Sequence, residues 1–302
     1  MWNIVSKRYW YFALSLLIIV PGLITLFVFG LPLAIDFTGG SLLSLRFEGT
    51  APLPVTIKAI FAEFGFDDSQ VQSVENNGIQ IRSKAMDDAR KNEIEEAIRK
   101  RELGAFTELS FGSVSAAIGT EVVRGAVLAV ALAAVGIMLY LWWAFRQVPH
   151  SFRYGVAAII AMLHDVAVMI GAAAIFGKVF GWEVDALFLT ALLTVIGFSV
   201  HDTIVVFDRI RENLIRRRGE RFELVVNHSI IQTLDRSINT QLTVFFTLLA
   251  LALFGGVTIR HFIIILLVGI LSGTYSSIFN AAPVLVVWEN REWRNWFRRK
   301  PV

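Results

Sequence analysis

YFALSLLIIVPGLITLFVFG, residues 11–30, carries no charged side chain over 20 positions. An α-helix rises 1.5 Å per residue, so such a run covers ~30 Å, the thickness of a bilayer's hydrocarbon. Lipid offers no hydrogen-bond partners, and a helix is the structure that satisfies its own backbone there. Five further stretches meet or approach the same standard: Val122–Phe145, Tyr154–Phe176, Ala186–Phe207, Gln241–Val257 and Phe262–Trp288. The fifth is the shortest and the most polar at its start. The first resembles a signal peptide in its basic leading residues, but it is too long for an h-region and lacks a small-residue cleavage site, so it reads as a retained anchor. Composition agrees with six spans: of 302 residues 55% are hydrophobic and only 18% charged, with a mean hydropathy of +0.62.

Sidedness follows from the basic residues of the short loops. With the N-terminus inside, the cytoplasmic segments hold Lys7 and Arg8; Arg146 and Arg153; Arg209, Arg211, Arg216, Arg217, Arg218, Arg221 and Arg236; and Arg291, Arg294, Arg298, Arg299 and Lys300. The short outer loops hold only Lys178 and Arg260. Both termini are therefore expected in the cytoplasm. Trp10, Trp142, Trp143, Trp182, Trp288, Trp293 and Trp296 fall near span ends, where indole rings anchor at the interface. A net charge of +3 is too small to argue for nucleic acid, and the Arg216–Arg218 run is explained by sidedness. With no cysteine, disulfides and thiolate metal sites are excluded.

Between the first two spans lie roughly 85 residues of soluble character, enough for one small domain. Leu42–Glu48 alternates as a strand, Val55–Phe64 reads as a helix, and Gln70–Glu75 and Ile79–Ser83 read as a hairpin around Asn76-Asn77-Gly78. Asp87–Leu103 is an amphipathic helix, with Ile94, Ala97, Ile98 and Arg101 on one face. Phe106–Phe111 is a last strand. The expected fold class is thus a membrane all-α six-helix bundle with a small extracytoplasmic α+β domain, ferredoxin-like in its βαββαβ order. The expected divisions are 1–35 for the N-terminus and first span, 36–115 for the outer domain, 116–290 for five spans and 291–302 for a basic tail. No catalytic constellation, P-loop or metal-ligand spacing occurs, so an enzyme is not expected, and no cofactor is implied.

Ionisable groups inside spans are costly and mark ion or substrate paths, or else fix packing. Asp165 and Asp202 stand inside the third and fourth spans, each after a histidine, as His164-Asp165 and His201-Asp202. Ala158, Ala161, Asp165, Val168 and Ala172 form one stripe, whose small residues admit a neighbouring helix and turn Asp165 to the bundle. Thr190, Thr194, Gly197 and His201 form another, with Asp202 about 100° further round the helix. That wide polar sector implies two neighbours, one of which can come from another chain. For Asp165 the packing role has the better case, since only His164 stands by as a relay partner. His201 has the right chemistry for a proton carrier, yet a histidine on a helix stripe is also an ordinary packing residue. Gly269-x-x-x-Gly273 signals close helix contact.

Two stretches carry a family resemblance. Asp36-Phe37-Thr38-Gly39-Gly40 follows the first span, and Gly197-Phe198-Ser199-Val200-His201-Asp202-Thr203-Ile204-Val205-Val206-Phe207-Asp208-Arg209-Ile210-Arg211-Glu212-Asn213 fills the fourth. With Gly255-Gly256 and Gly273-Thr274-Tyr275-Ser276-Ser277, they resemble the SecD/SecF family, on its SecF side, within the resistance-nodulation-division superfamily. The resemblance covers nearly the whole chain. It implies a SecD partner in a heteromeric complex in the bacterial cytoplasmic (inner) membrane. It further implies use of the proton-motive force to draw a translocating polypeptide outward, after the SecA motor has pushed it through the SecYEG channel. It also implies that Asp202 and Arg236 serve proton coupling, and that Asp36, Phe37, Gly39, Gly40, Asp208, Arg209 and Arg211 belong to the family motifs; His201 and Asp165 stand as weaker proton-transfer candidates from their place in the spans alone. His201 departs from the family, where asparagine more often precedes the aspartate, and can add a relay group. The competing readings are a small-solute exporter of the same superfamily and a purely structural subunit.

Overall fold

The computed structural model describes residues 2–74 and 76–292, and Trp293, Trp296 and the basic residues Arg294, Arg298, Arg299 and Lys300 lie outside them. The chain divides into two compact units, Leu33–Val127 and the residues on either side of it. Helix α5 (Ala116–Ala144) crosses the division, its first turns belonging with the smaller unit.

The smaller unit is built on one sheet. α2 (Ile35–Thr38) leads through Gly39 into β1 (Gly40–Phe47); then come α3 (Pro54–Glu63), β2 (Gln70–Val74), β3 (Gly78–Ser83), α4 (Asp88–Lys100) and β4 (Phe106–Val114). The strand order is β2-β3-β1-β4, every neighbouring pair antiparallel. Alternation in β1 turns Leu43, Leu45 and Phe47 inward, onto Ile57, Ile60 and Phe61 of α3 and Ile94 and Ile98 of α4. Asp87 caps α4 by accepting from the Arg90 N–H (2.9 Å). Three expectations need adjustment. α4 ends three residues before Leu103, where Glu102 and Gly104 turn to positive φ. Arg101 leaves the apolar face to pair with Glu63 of α3. The hairpin's left-handed residues are Asn76 and Asn77, and Gly78 already belongs to β3. Asparagine tolerates that conformation because its short amide bonds locally.

Burial, and then the adjacent Glu108 carboxylate, push the Glu95 carboxyl above the ordinary glutamate range. A group whose folded-state value is raised binds its proton more tightly in the folded state, so lowering the pH from above that value toward the ordinary one stabilises the fold. Amide exchange in α4, corrected for intrinsic rate, is expected to slow as the pH falls toward the ordinary glutamate range. In Glu95→Gln the dependence should flatten. A wild-type profile as flat as the variant's refutes this.

Among the described residues, six helices are long and apolar enough to cross a membrane. They are α1 (Arg8–Phe29), α5, α6 (Ser151–Phe180), α7 (Ala186–Arg216), α8 (Phe222–Phe254) and a continuous last helix. The last consists of α9 (Val257–Ser276), a π-helical segment Ser277–Ala281 and α10 (Ala282–Glu289). Pro283 lacks an N–H and would crowd the carbonyl four residues back, and the wider π turn just before it accommodates the ring.

The helices outrun the apolar stretches. α7 and α8 measure about 46 and 50 Å at 1.5 Å per residue. α8 starts at Phe222, well before the expected span start at Gln241. The reason is amphipathy beyond Phe207: Ile210, Val226 and Ile230 join the main core with Phe207 and Leu285. The opposite face of α7 is laced by Arg211–Asp208, Arg209–Glu212 and Arg216–Glu212. Gly219, at φ +96, separates the two helices.

The N-terminal residues are fastened from α8. Asn227 Oδ1 accepts from the N–H groups of Ile4 (2.8 Å) and Val5 (3.2 Å). Arg8 bonds Glu223 (3.0 Å) and, through two nitrogens, Glu292 (2.6 and 3.1 Å). The Arg8 side chain is only 12% exposed. Arg8→Ala strands two carboxylates and is expected to cost about 2 kcal/mol, read as a lower thermal midpoint in detergent. An unchanged midpoint refutes it.

Candidate functional site

Two buried carboxylates define the site, and α7 touches both. On α7 the buried line runs through Ala191, Val195, Ser199, Asp202, Thr203 and Val206. Asp202 is 3% exposed and accepts a 2.6 Å hydrogen bond from Gln241 Nε2 of α8. Around this pair, Thr203 Oγ1, Ser237 Oγ and Gln241 Oε1 are buried without a hydrogen-bond partner. Unsatisfied polar atoms gathered about one carboxylate are exceptional in a buried interior and mark the place as a candidate functional spot. Arg236 stands on α8 five residues before Gln241, and among the described residues no ion pair joins it to Asp202.

Arg236 also lines an open cavity of about 480 Å³, together with Asp208, Arg209, Arg211, Glu212 and Gln232. Tyr140, Phe145, Ile204 and Val205 also line it, so the cavity is of mixed character. The motif residues Asp208, Arg209 and Arg211 are engaged in ion pairs on the α7 surface, and Arg211 also reaches the Ala144 carbonyl (3.4 Å) and sits over the Phe145 ring. His201 is exposed, as are Thr190 and Gly197 of its stripe. No atom lies within 4 Å of the position a Cβ on Gly197 would take. The two sides of α7 are therefore distinct: Asp202 faces α8, and among the described residues Thr190, Gly197 and His201 stay exposed while Thr194 is half-buried.

Asp165 is fully buried. Ser199 of α7 (2.5 Å) and Ser276 of α9 (2.6 Å) donate to its Oδ2, and Ser272 of α9 (2.7 Å) donates to Oδ1. His164 Nδ1 meets Oδ1 at 3.0 Å, and His164 Nε2 meets Ser15 Oγ of α1 at 3.1 Å. Asn280 of the π segment completes the chain at Ser15 (2.9 Å). Sequence reasoning gave Asp165 a single partner, and the structure gives it four. The missed signal is Ser272-x-x-x-Ser276, two hydroxyls on one face of an apolar helix beside Gly269 and Gly273. Gln241, which opens the fifth apolar stretch, is the group that meets Asp202.

Asp36, Phe37, Gly39 and Gly40 lie in the smaller unit. Phe37 is buried, and Gly39 (φ +71) and Gly40 (φ +115) turn α2 into β1. A Cβ on Gly40 would stand 2.6 Å from the Ser83 carbonyl oxygen, so the pair of glycines is a steric requirement of that turn.

The helical bundle, the glycine turn and the carboxylates on α6 and α7 define a polytopic membrane protein built around buried ionisable groups. Its residues 94–291 match the family model for the SecD/SecF protein export membrane protein C-terminal region, and residues 24–51 match the SecD/SecF GG motif. The chain belongs to the SecD/SecF family. It is 56% identical to a protein translocase subunit SecF of Anaerolinea thermophila over 99% of this chain and 98% of that one. It is 36% identical to protein translocase subunit SecDF of Bacillus subtilis, covering 96% of this chain but 38% of that one. The crystal structure of SecDF from Thermus thermophilus, titled a translocon-associated membrane protein, superposes with a TM-score of 0.80 at 35% identity. That match covers 96% of this chain and 39% of the other.

Proposed function

We propose that the chain is a SecF-type subunit of the Sec protein-export machinery that works with a SecD partner and uses the proton-motive force to promote late steps of polypeptide translocation. The observation that carries the proton role is Asp202, nearly sealed from solvent and held by one hydrogen bond from Gln241 of α8, the helix that also bears Arg236. Protonation cancels the attraction to Arg236 and changes what Gln241 can donate to, so a proton alters how α7 and α8 fit. A charge crossing the membrane potential supplies ~2.3 kcal/mol per 100 mV, enough to bias an equilibrium between two helix arrangements.

In this reading the chain sits in the bacterial cytoplasmic membrane with both termini inside. The sheet unit, whose element order and strand order support a ferredoxin-like domain, is the lever on the outer side. The largely exposed Thr190, Thr194, Gly197 and His201 stripe receives a helix of SecD, and the SecYEG channel with SecA delivers the polypeptide. The names of the 56% and 36% identical relatives favour protein export over the small-solute exporter reading. A purely structural subunit is the second reading, favoured by the Asp202–Gln241 bond as a tie between α7 and α8.

Depletion of the chain separates export from solute efflux. Accumulating precursors, with unchanged sensitivity to small toxic solutes, is the expected result. Normal precursor processing with heightened sensitivity defeats the export reading.

A further inference from the structure

We propose that His164 and Asp165 form a second proton-binding station, whose occupancy reverses the direction of a hydrogen-bond chain running through Ser15 of α1 to Asn280 of the π segment. The inference rests on the proton-coupled reading above and extends it to residues outside the Asp202–Arg236 pair.

Charge balance is the first ground. Asp165 is fully buried midway along α6, and among the described residues its ion-pair partner is His164, charged only when protonated. Serine hydroxyls of α7 and α9 donate to both carboxylate oxygens, an arrangement suited to the ionised form, which only accepts. The groups around the pair were traced element by element. α1 contributes Ser15 and the Tyr11 carbonyl, and α9 contributes Tyr275, stacked on His164 with centroids 6.1 Å apart and donating to that carbonyl (2.7 Å). α7 contributes Ser199, with His201 and Asp202 on its next turn, and the π segment contributes Asn280. Within this set a proton on His164 supplies the positive charge that balances an ionised Asp165.

The second ground is the reversibility of the chain. With neutral imidazole, Asn280 Nδ2 donates to Ser15 Oγ (2.9 Å), the Ser15 hydroxyl donates to His164 Nε2 (3.1 Å), and Nδ1–H donates to Asp165 (3.0 Å). With imidazolium, Nε2–H donates to Ser15 Oγ, and the Ser15 hydroxyl turns to Asn280 Oδ1 (3.2 Å). Every heavy atom keeps its place in both states. One proton arrives at Nε2 and none leaves, so the net charge of the cluster rises by one. A hydroxyl between a histidine and an amide is the element that can be read in either direction. The station therefore reports its charge to α1 and to the π turn. Ser199 ties it to the helix that carries Asp202 one turn on.

The test is nitrogen NMR of selectively labelled histidine in the full chain in nanodiscs, with His164 assigned through His164→Gln. The expected result is passage of the His164 ring from neutral to doubly protonated form as the pH is lowered, with a changed response in Asp165→Asn. Asp202→Asn should leave the transition in place, so failure of the Asp202 reading and failure of this one are told apart. In export, His164→Gln can still bond Ser15 and Asp165 but takes up no proton, and it should lose gradient-stimulated translocation. Ser15→Ala should lose part of the stimulation. A His164 ring that stays in one form throughout, or undiminished stimulation in His164→Gln, reduces the cluster to a packing knot and overturns the proposal.

Discussion

Asp202→Asn is expected to abolish the part of polypeptide translocation that depends on the proton gradient while leaving the complex assembled. Asparagine is nearly isosteric with aspartate and still offers a carbonyl oxygen to Gln241 Nε2, so the 2.6 Å tie between α7 and α8 survives. Packing around Val195, Val206 and Phe207 is untouched, since those side chains are buried independently of the carboxylate. What disappears is the charge and its capacity to take a proton. Vesicles bearing wild-type and variant complexes, assayed with and without an ionophore, should differ only in the absence of ionophore. Copurification should be equal, with a thermal midpoint shift equivalent to less than about 1 kcal/mol. Gradient stimulation that persists in a fully assembled variant assigns Asp202 to packing alone. Gln241→Leu provides the complementary case, because it removes the donor and leaves a buried carboxylate unpaired. It should therefore destabilise as well as impair, by roughly 1–3 kcal/mol.

The sequence made the spans legible because lipid imposes one demand, an unbroken apolar run, and the six runs meet it. It misplaced the ends of α7 and α8 because helices stop for other reasons than polarity. Beyond Phe207 the ion pairs at three- and four-residue spacing sustain the helix in water, and only Gly219 breaks it. Asp202 could be singled out from its position in an apolar stretch, and its neighbour Arg236 came from family likeness. The Asp165 cluster was hidden for a geometric reason. Its serines come from 34, 107 and 111 residues away, and no periodicity in one helix announces which hydroxyls of two others will converge on it. The sheet unit was legible nearly strand by strand, because alternation in Leu43, Leu45 and Phe47 is local. Its turn was misjudged by one residue, since asparagine and glycine compete for the same left-handed conformation.

Gly171→Val is expected to detach α1 from α6 and lower stability. The two helices run in the same direction: Ser15 meets His164, and seven residues on in each chain segment Gly22 meets Gly171. A Cβ on Gly22 would stand 2.6 Å from the Gly171 Cα, and one on Gly171 would stand 2.9 Å from the Gly22 Cα. Backbone lies on both sides, so no side chain can swing away to relieve the clash. Overpacking of this kind costs about 1–3 kcal/mol and more where relaxation is blocked. α1 has little to set against it, because Ser15 and Gly22 are its only buried residues. Even Gly171→Ala should lower the thermal midpoint, and it should also shift the histidine signal of His164 by drawing Ser15 away. Gly197→Ala is the control, since open space surrounds that position and alanine favours the helix. It should be neutral or slightly stabilising in the isolated chain. An equal midpoint for Gly171→Ala and wild type contradicts the close crossing, and with it the path by which a proton on α6 reaches α1.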